Sequence, residues 1–162
     1  DTDPDGVDCR ADYPMATPNS GDCVTSTISC GETVFGTTVG GSTGYDSKTY
    51  IEDYTCAGQW GFEADYSSPE RVFSFMLPGG AHANIELDAP CADMRLTALF
   101  IPSDECPTDP GSCSSPTASN TNGSTQKLIS EYGHATQDRE YFLIVDGLGG
   151  ETGNFRLNVE CY

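Results

Sequence analysis

The sequence predicts an all-β fold, an antiparallel β-sandwich or jelly roll of about eight or nine strands with disulfides and an irregular N-terminal arm. Three observations point to it. Short runs rich in Val, Ile, Thr, Phe and Tyr recur along the chain, bounded by Gly, Pro, Asn and Asp. No segment carries the 3.6-residue apolar period of an amphipathic helix. The chain also holds eight cysteines, an even number at wide spacings, the usage of a disulfide-stabilised extracellular domain. At 162 residues one domain is expected, with residues 1–22 as the arm and residues 23–162 as the sandwich.

Each element follows in turn. Residues 1–22 are acidic and rich in turn formers, and Pro4, Pro14 and Pro18 prevent regular structure. Cys23–Cys30 and Glu32–Val39 are β-branched and read as the first strands, before a flexible loop over Gly40–Ser47. A second loop, Cys56–Pro69, contains the single tryptophan, Trp60. Glu70–Leu77 (ERVFSFML) is a strong strand, and in Ala81–Leu87 the residues Ala83, Ile85 and Leu87 alternate onto one face. Arg95–Ile101 is apolar. Residues 102–125 hold four prolines, Cys106, Cys113 and a run of Ser, Thr, Asn and Gly, and read as a long loop whose neck the near pair Cys106/Cys113 closes. Gln126–Tyr132 returns to strand, and Glu140–Asp146 (EYFLIVD) is the most hydrophobic run and the expected central strand. After a glycine-rich turn over Gly147–Gly153, Phe155, Leu157 and Val159 alternate in a final strand ending at Cys161.

Charge narrows the partners. Twenty-five acidic residues stand against seven basic ones, a formal charge of −18. Phosphate recognition needs clustered Lys and Arg, so nucleic acid and anionic membrane surfaces are excluded as partners. No stretch is apolar enough to cross a bilayer. The cysteines form no CxxC pair, and only His82 and His134 are available beside them, which argues against zinc ribbons and redox motifs and for four disulfides. The chain reads as a mature, processed or excised form of a secreted protein.

The first twelve residues, DTDPDGVDCRAD, name a chemical partner. Side-chain oxygens fall at Asp1, Asp3 and Asp5, Gly6 permits a sharp turn, Val7 offers a backbone carbonyl and Asp12 closes the segment. These are loop positions 1, 3, 5, 6, 7 and 12 of a calcium-binding loop, and Ca²⁺ takes roughly six to eight oxygens from such a curl of chain. The competing explanation is a solvated acidic tail. The segment resembles the aspartate-rich loops of dockerins and thrombospondin type 3 repeats, which use DxDxDG and a closing carboxylate.

Farther along, SCGETVFGTT, YTC, ERVFSFMLPGG, an alternating strand, a cysteine-rich loop and EYFLIVDGLGGETGNFRLNVEC occur in that order. Together they resemble the bacterial pre-peptidase C-terminal domain family in its cysteine-rich secreted form, over residues 23–162. The resemblance implies a non-catalytic β-sandwich that accompanies secreted peptidases or other extracellular modules. It also implies the pairings Cys30–Cys56, Cys106–Cys113, Cys23–Cys161 and Cys9–Cys91.

Other chemistry is weaker. No GxSxG, HExxH or phosphate-loop motif is present, and two histidines among many serines do not define a triad. Glu63, Asp65 and Glu70 lie near Trp60 and Tyr66, an arrangement suited either to a sugar or to packing over a sheet edge. Asp146 with Glu151, and Asp88 with Asp93, are possible second cation ligands or turn-forming carboxylates. Asn122 opens an N-glycosylation sequon, Asn-Gly-Ser. The expectation is a secreted or cell-surface, non-enzymatic, calcium-binding structural or adhesive module, a subunit of an extracellular assembly or filament. Its partners would be other copies of itself or an extracellular protein or polysaccharide. The alternatives are a carbohydrate-binding module using Trp60 and Tyr66 and an accessory domain of a secreted peptidase.

Overall fold

The structure is a computed structural model, and it describes residues 6–18, 23–44, 67–100, 112–114 and 126–162. These contain nine strands: β1 (Ser26–Ile28), β2 (Thr33–Thr37), β3 (Glu70–Leu77), β4 (His82–Asp88), β5 (Met94–Phe100), β6 (Ser112–Ser114), β7 (Gln126–Tyr132), β8 (Arg139–Gly147) and β9 (Asn154–Cys161). They form two sheets, one in the order β1-β3-β8-β5-β6 and the other β2-β9-β4-β7. No helix occurs among the described residues. The all-β sandwich expected from the sequence is the fold observed.

Alternation decides what each strand buries. Phe73, Phe75 and Leu77 of β3, Tyr141, Leu143 and Val145 of β8, and Met94, Leu96 and Ala98 of β5 face inward from the first sheet. They meet Ala83, Ile85 and Leu87 of β4 and Phe155, Leu157 and Val159 of β9 from the second. Phe73 and Phe155 stand edge to face between the sheets, with ring centroids 6.2 Å apart. Such a pair adds about 1 kcal/mol to its area burial.

The first sheet is covered on its other side too. Val72, Phe142 and Ile144, which point away from the inter-sheet core, are also buried. This double burial explains why ERVFSFML and EYFLIVD read as near-continuous apolar runs rather than as alternating ones. β8 is central as expected, pairing β3 along one edge and β5 along the other. The turn from β8 to β9 places Gly149 and Gly150 at φ 62° and 84°, where a Cβ is strained.

Three expectations need correction. The run Cys23–Cys30 is strand only over Ser26–Ile28, and it pairs with β3 in parallel, so the sandwich is not wholly antiparallel. A three-residue strand, β6, lies inside the stretch read as loop and pairs with the end of β5. Proline and serine content masked it, because a strand this short has no period to detect.

The third concerns disulfides. Cys30 is bridged to Cys161, so neither Cys30–Cys56 nor Cys23–Cys161 forms. The reason is register. Thr33 pairs with Asn158, and the Gly31 amide donates to the Val159 carbonyl at 2.7 Å. The corner between β1 and β2 therefore lies beside the end of β9, with the Cys30 and Cys161 Cα atoms 5.4 Å apart. Cys9 is bridged to Cys91, and Cys23 is also disulfide-bonded. Cys56 and Cys106 lie outside the described residues, and of Cys113 only the strand position is described.

Candidate functional site: the fastened N-terminal arm

Of the proposed calcium ligands, Asp1, Asp3 and Asp5 lie outside the described residues. Val7 is half-buried and Asp12 is exposed. Between them the chain makes a tight turn. The Asp8 carboxylate accepts from the Arg10 amide at 2.8 Å, and the Ala11 amide donates to the Asp8 carbonyl at 3.2 Å. Such an Asx turn is the local conformation that aspartate favours. The Asp8 amide donates to the Tyr13 hydroxyl at 3.2 Å. Among the described residues no group of three or more His, Cys, Asp or Glu is placed to hold a metal. The Asp12 carboxylate is engaged in none of the turn's hydrogen bonds and faces solvent.

The arm is tied to the sandwich at several points. The Cys9–Cys91 disulfide joins it to the segment just before β5. Next to that bridge, Asn154 at the start of β9 is buried, and its Nδ2 donates to the carbonyls of Asp8 at 2.8 Å and Ala11 at 2.9 Å. Farther along, Met15 packs against the hydrophobic core. Its sulfur receives the Thr37 amide at 3.4 Å and lies where a Cβ on Gly36 would come within 2.3 Å of it. Gly36 is therefore the residue that makes room for Met15. Tyr13 rests against Phe35 on β2, with centroids 5.6 Å apart.

Arg71 completes the fastening. It shares the core-facing side of β3 with Phe73 and is 1% exposed. Its Nε donates to the Thr37 carbonyl and its Nη1 to the Ala16 carbonyl, each at 2.8 Å, and its Nη2 donates to the Val39 carbonyl. One buried guanidinium thus joins the first sheet, the end of β2 in the second sheet, and the arm. Burial lowers its pKa, but an arginine remains charged at physiological pH. Buried charge is tolerated only where hydrogen bonds replace water, and here three main-chain carbonyls do so.

Sequence reasoning placed Arg71 in a strand and Asn154 between the glycine-rich turn and the last strand, and gave neither a role. A signal for Arg71 was present: it has the parity of Phe73, Phe75 and Leu77 in ERVFSFML, so a core-facing cation follows from strand alternation alone. Asn154 carried no such signal, because what it binds is backbone.

The remaining candidates take structural positions. Glu70 is buried on β3 and accepts from the Ser42 hydroxyl and the Gly44 amide, both at 2.7 Å, holding the loop after β2. In register it neighbours Asp146, which in turn neighbours Arg95, so these buried polar residues form a row across β3, β8 and β5. Glu151 accepts from the Asp93 amide at 2.7 Å and ties the β8–β9 turn to the entry of β5. Asp88 and Glu86 both face Arg156, at 3.7 Å and 3.1 Å. His82 sits on β4 with its ring 5.6 Å from that of Tyr162, and His134 accepts from the Thr136 amide in the connection from β7 to β8. Trp60, Glu63, Asp65, Tyr66 and Asn122 lie outside the described residues. No helix among the described residues is long and apolar enough to cross a membrane.

No protein-family model matches the sequence, and no curated protein matches it. Among solved structures, the chain is similar to the pre-peptidase C-terminal domain of a collagenase from Bacillus anthracis, at 12% identity and a TM-score of 0.47, over 93% of this chain and 100% of that one. At that identity and score no residue role passes from that protein to this one.

Proposed function

We propose that this chain is a secreted, non-catalytic structural module in which a calcium-bound N-terminal segment stiffens a junction with a neighbouring extracellular element. Calcium would be held by Asp1, Asp3, Asp5, the Val7 carbonyl and Asp12. The observation that carries the proposal is the fastening of the arm. Within the second half of this twelve-residue segment, the chain is bridged through Cys9 to Cys91 and gripped at Asp8 and Ala11 by Asn154. An ion bound at such a place adds rigidity to a segment whose far end is already fixed. Sensor proteins instead use calcium to open a pair of helices, and the described residues contain none. The disulfides support an oxidising compartment, and the charge of −18 suits a protein that works beside divalent cations.

Calorimetry and thermal melting of the whole chain, in Ca²⁺ and in EDTA, test this directly. At a free Ca²⁺ concentration of about one hundred times Kd, the folded state gains about 2.7 kcal/mol. For a domain of this size that is a rise in Tm of about 5–10 °C. The Asp3→Ala/Asp5→Ala variant should lose both the binding heat and the rise. A native chain that shows neither heat nor a shifted Tm is not a calcium module.

A further inference from the structure

Two sandwich side chains hold the arm by its main chain. Asn154 reads the carbonyls of Asp8 and Ala11, and Arg71 reads that of Ala16. One arm side chain packs against the core, Met15, seated over Gly36, and another, Tyr13, rests on Phe35. One covalent bond closes the site, Cys9–Cys91. Between Ala16, the last gripped residue, and Cys23 the sequence runs Thr-Pro-Asn-Ser-Gly-Asp. Such a connection spans about 20 Å when extended, and its proline donates no backbone hydrogen bond. None of these contacts depends on the arm and the sandwich belonging to one chain.

We propose that this docking groove is also an intersubunit site, filled by residues 8–16 of a second copy, with Cys91 bonded to the partner subunit's Cys9. The occupant is this chain's own arm because each feature of the groove is matched to that segment. Its two side-chain donors meet three arm carbonyls, its glycine floor admits Met15, and its cysteine meets Cys9. The inference rests on reading the chain as a linking module, but it needs no calcium. Arm exchange is a low-cost route to association, and when it proceeds head to tail without closing it gives an open chain of subunits.

Contacts within one chain and between chains are the same, so concentration decides between them. A short tether presents its own arm at an effective concentration of about millimolar. Exchange therefore competes only when subunits are crowded, and oxidation then traps whichever arm is docked. In that step Cys9 and Cys91 each give up a proton. Two electrons pass to a disulfide oxidant, such as oxidised glutathione, which leaves as two thiols.

The test uses the unaltered chain in two isotopic forms, one natural and one ¹⁵N-labelled. The two are mixed, reduced, and refolded together in a glutathione redox buffer with EDTA. Protein concentration runs from about 10 μM to about 1 mM, up to the effective concentration of the tether. Folded material is recovered by gel filtration and its disulfide-linked peptides are weighed. The expected result is a mixed-isotope Cys9–Cys91 peptide whose share rises at least several-fold across the series. The Cys30–Cys161 peptide should stay within one isotope. A Cys9–Cys91 peptide that is never mixed overturns the proposal, and so does equal mixing of both peptides, which is general scrambling. Because EDTA is present throughout, failure here is separate from failure of the calcium proposal, which calorimetry reads.

Discussion

Strand β8 lies between β3 and β5 and pairs with a strand along each edge, with Tyr141 to Gly147 all buried. The arm over residues 6–18 has no strand partner and is largely exposed or half-buried. It is held by one disulfide, two side-chain donors, one methionine and one tyrosine ring. Both segments are fixed in place, but by different physics. β8 is held by area removed from water and by a repeating ladder, so its stability is spread over many residues. The arm is held by a few directional contacts, so each of its fasteners carries a large share. A change in the distributed element is felt by the whole sandwich, whereas a change in one fastener can act on the arm by itself.

The largest expected effect belongs to the distributed region. Phe73→Ala removes a ring that is fully buried between the sheets and edge-on to Phe155. It should cost about 3–5 kcal/mol, read as a lower urea midpoint for the whole chain. The arm should be released at the same midpoint, which tryptic cleavage after Arg10 would report. Release of the arm at a separate, lower midpoint would show that the two regions are independent units.

Arg71→Met comes next. It keeps much of the side-chain volume but leaves the Ala16, Thr37 and Val39 carbonyls without their donor. A loss of about 3 kcal/mol is expected, since hydrogen bonds to a charged group contribute about 1.5–3 kcal/mol each and the methionine recovers part of the packing. Removing a single arginine should thus approach the effect of emptying the core. A change below about 0.5 kcal/mol, the usual range for surface substitutions, would mean that the guanidinium is incidental to the joint.

Asn154→Ala separates the arm from the rest. It removes the donor to Asp8 and Ala11 while leaving the β9 ladder intact. The expected cost is about 1–2 kcal/mol. Its signature is double, with the urea midpoint lowered by that cost and cleavage after Arg10 several-fold faster under native conditions. If cleavage is unchanged, the disulfide alone holds this part of the arm.

The same contrast explains what could be read from the sequence. β3, β4, β8 and β9 were legible because burial writes itself into side-chain type: Ala83, Ile85 and Leu87, or Phe155, Leu157 and Val159, must be apolar to meet the core. The ends of these strands shift by a residue or so, as strand limits commonly do. The arm was legible as acidic and proline-rich and, through the family resemblance, as bridged from Cys9 to Cys91. Its hydrogen bonds to Asn154 and Arg71 use its own carbonyls, which every residue has, so no pattern in residues 6–18 announces them. The Cys30–Cys161 bridge was hidden for a related reason. It follows from the pairing of β2 with β9, a contact between distant segments that no spacing of cysteines encodes. The calcium ligands are the reverse case, since the DxDxDG pattern is explicit while Asp1, Asp3 and Asp5 lie outside the described residues.

The smallest expected effect is also the most specific. A Cβ on residue 36 would meet the Met15 sulfur at 2.3 Å and the Phe155 ring at 2.9 Å. Gly36→Ala should therefore push Met15 outward at a cost of about 1–2 kcal/mol, typical of overpacking. Met15→Ala alone should cost a similar amount, because Met15 is only partly buried against the core. Combined, the two should lose about 1 kcal/mol less than their sum, a coupling of the size found between residues in contact. The shortened side chain makes room for the new methyl group, and only the ring of Phe155 must still yield. Additive losses in urea denaturation would show that Gly36 is not reserved for Met15. The arm would then be held at Cys9, Tyr13, Asn154 and Arg71, and position 15 would be free to vary.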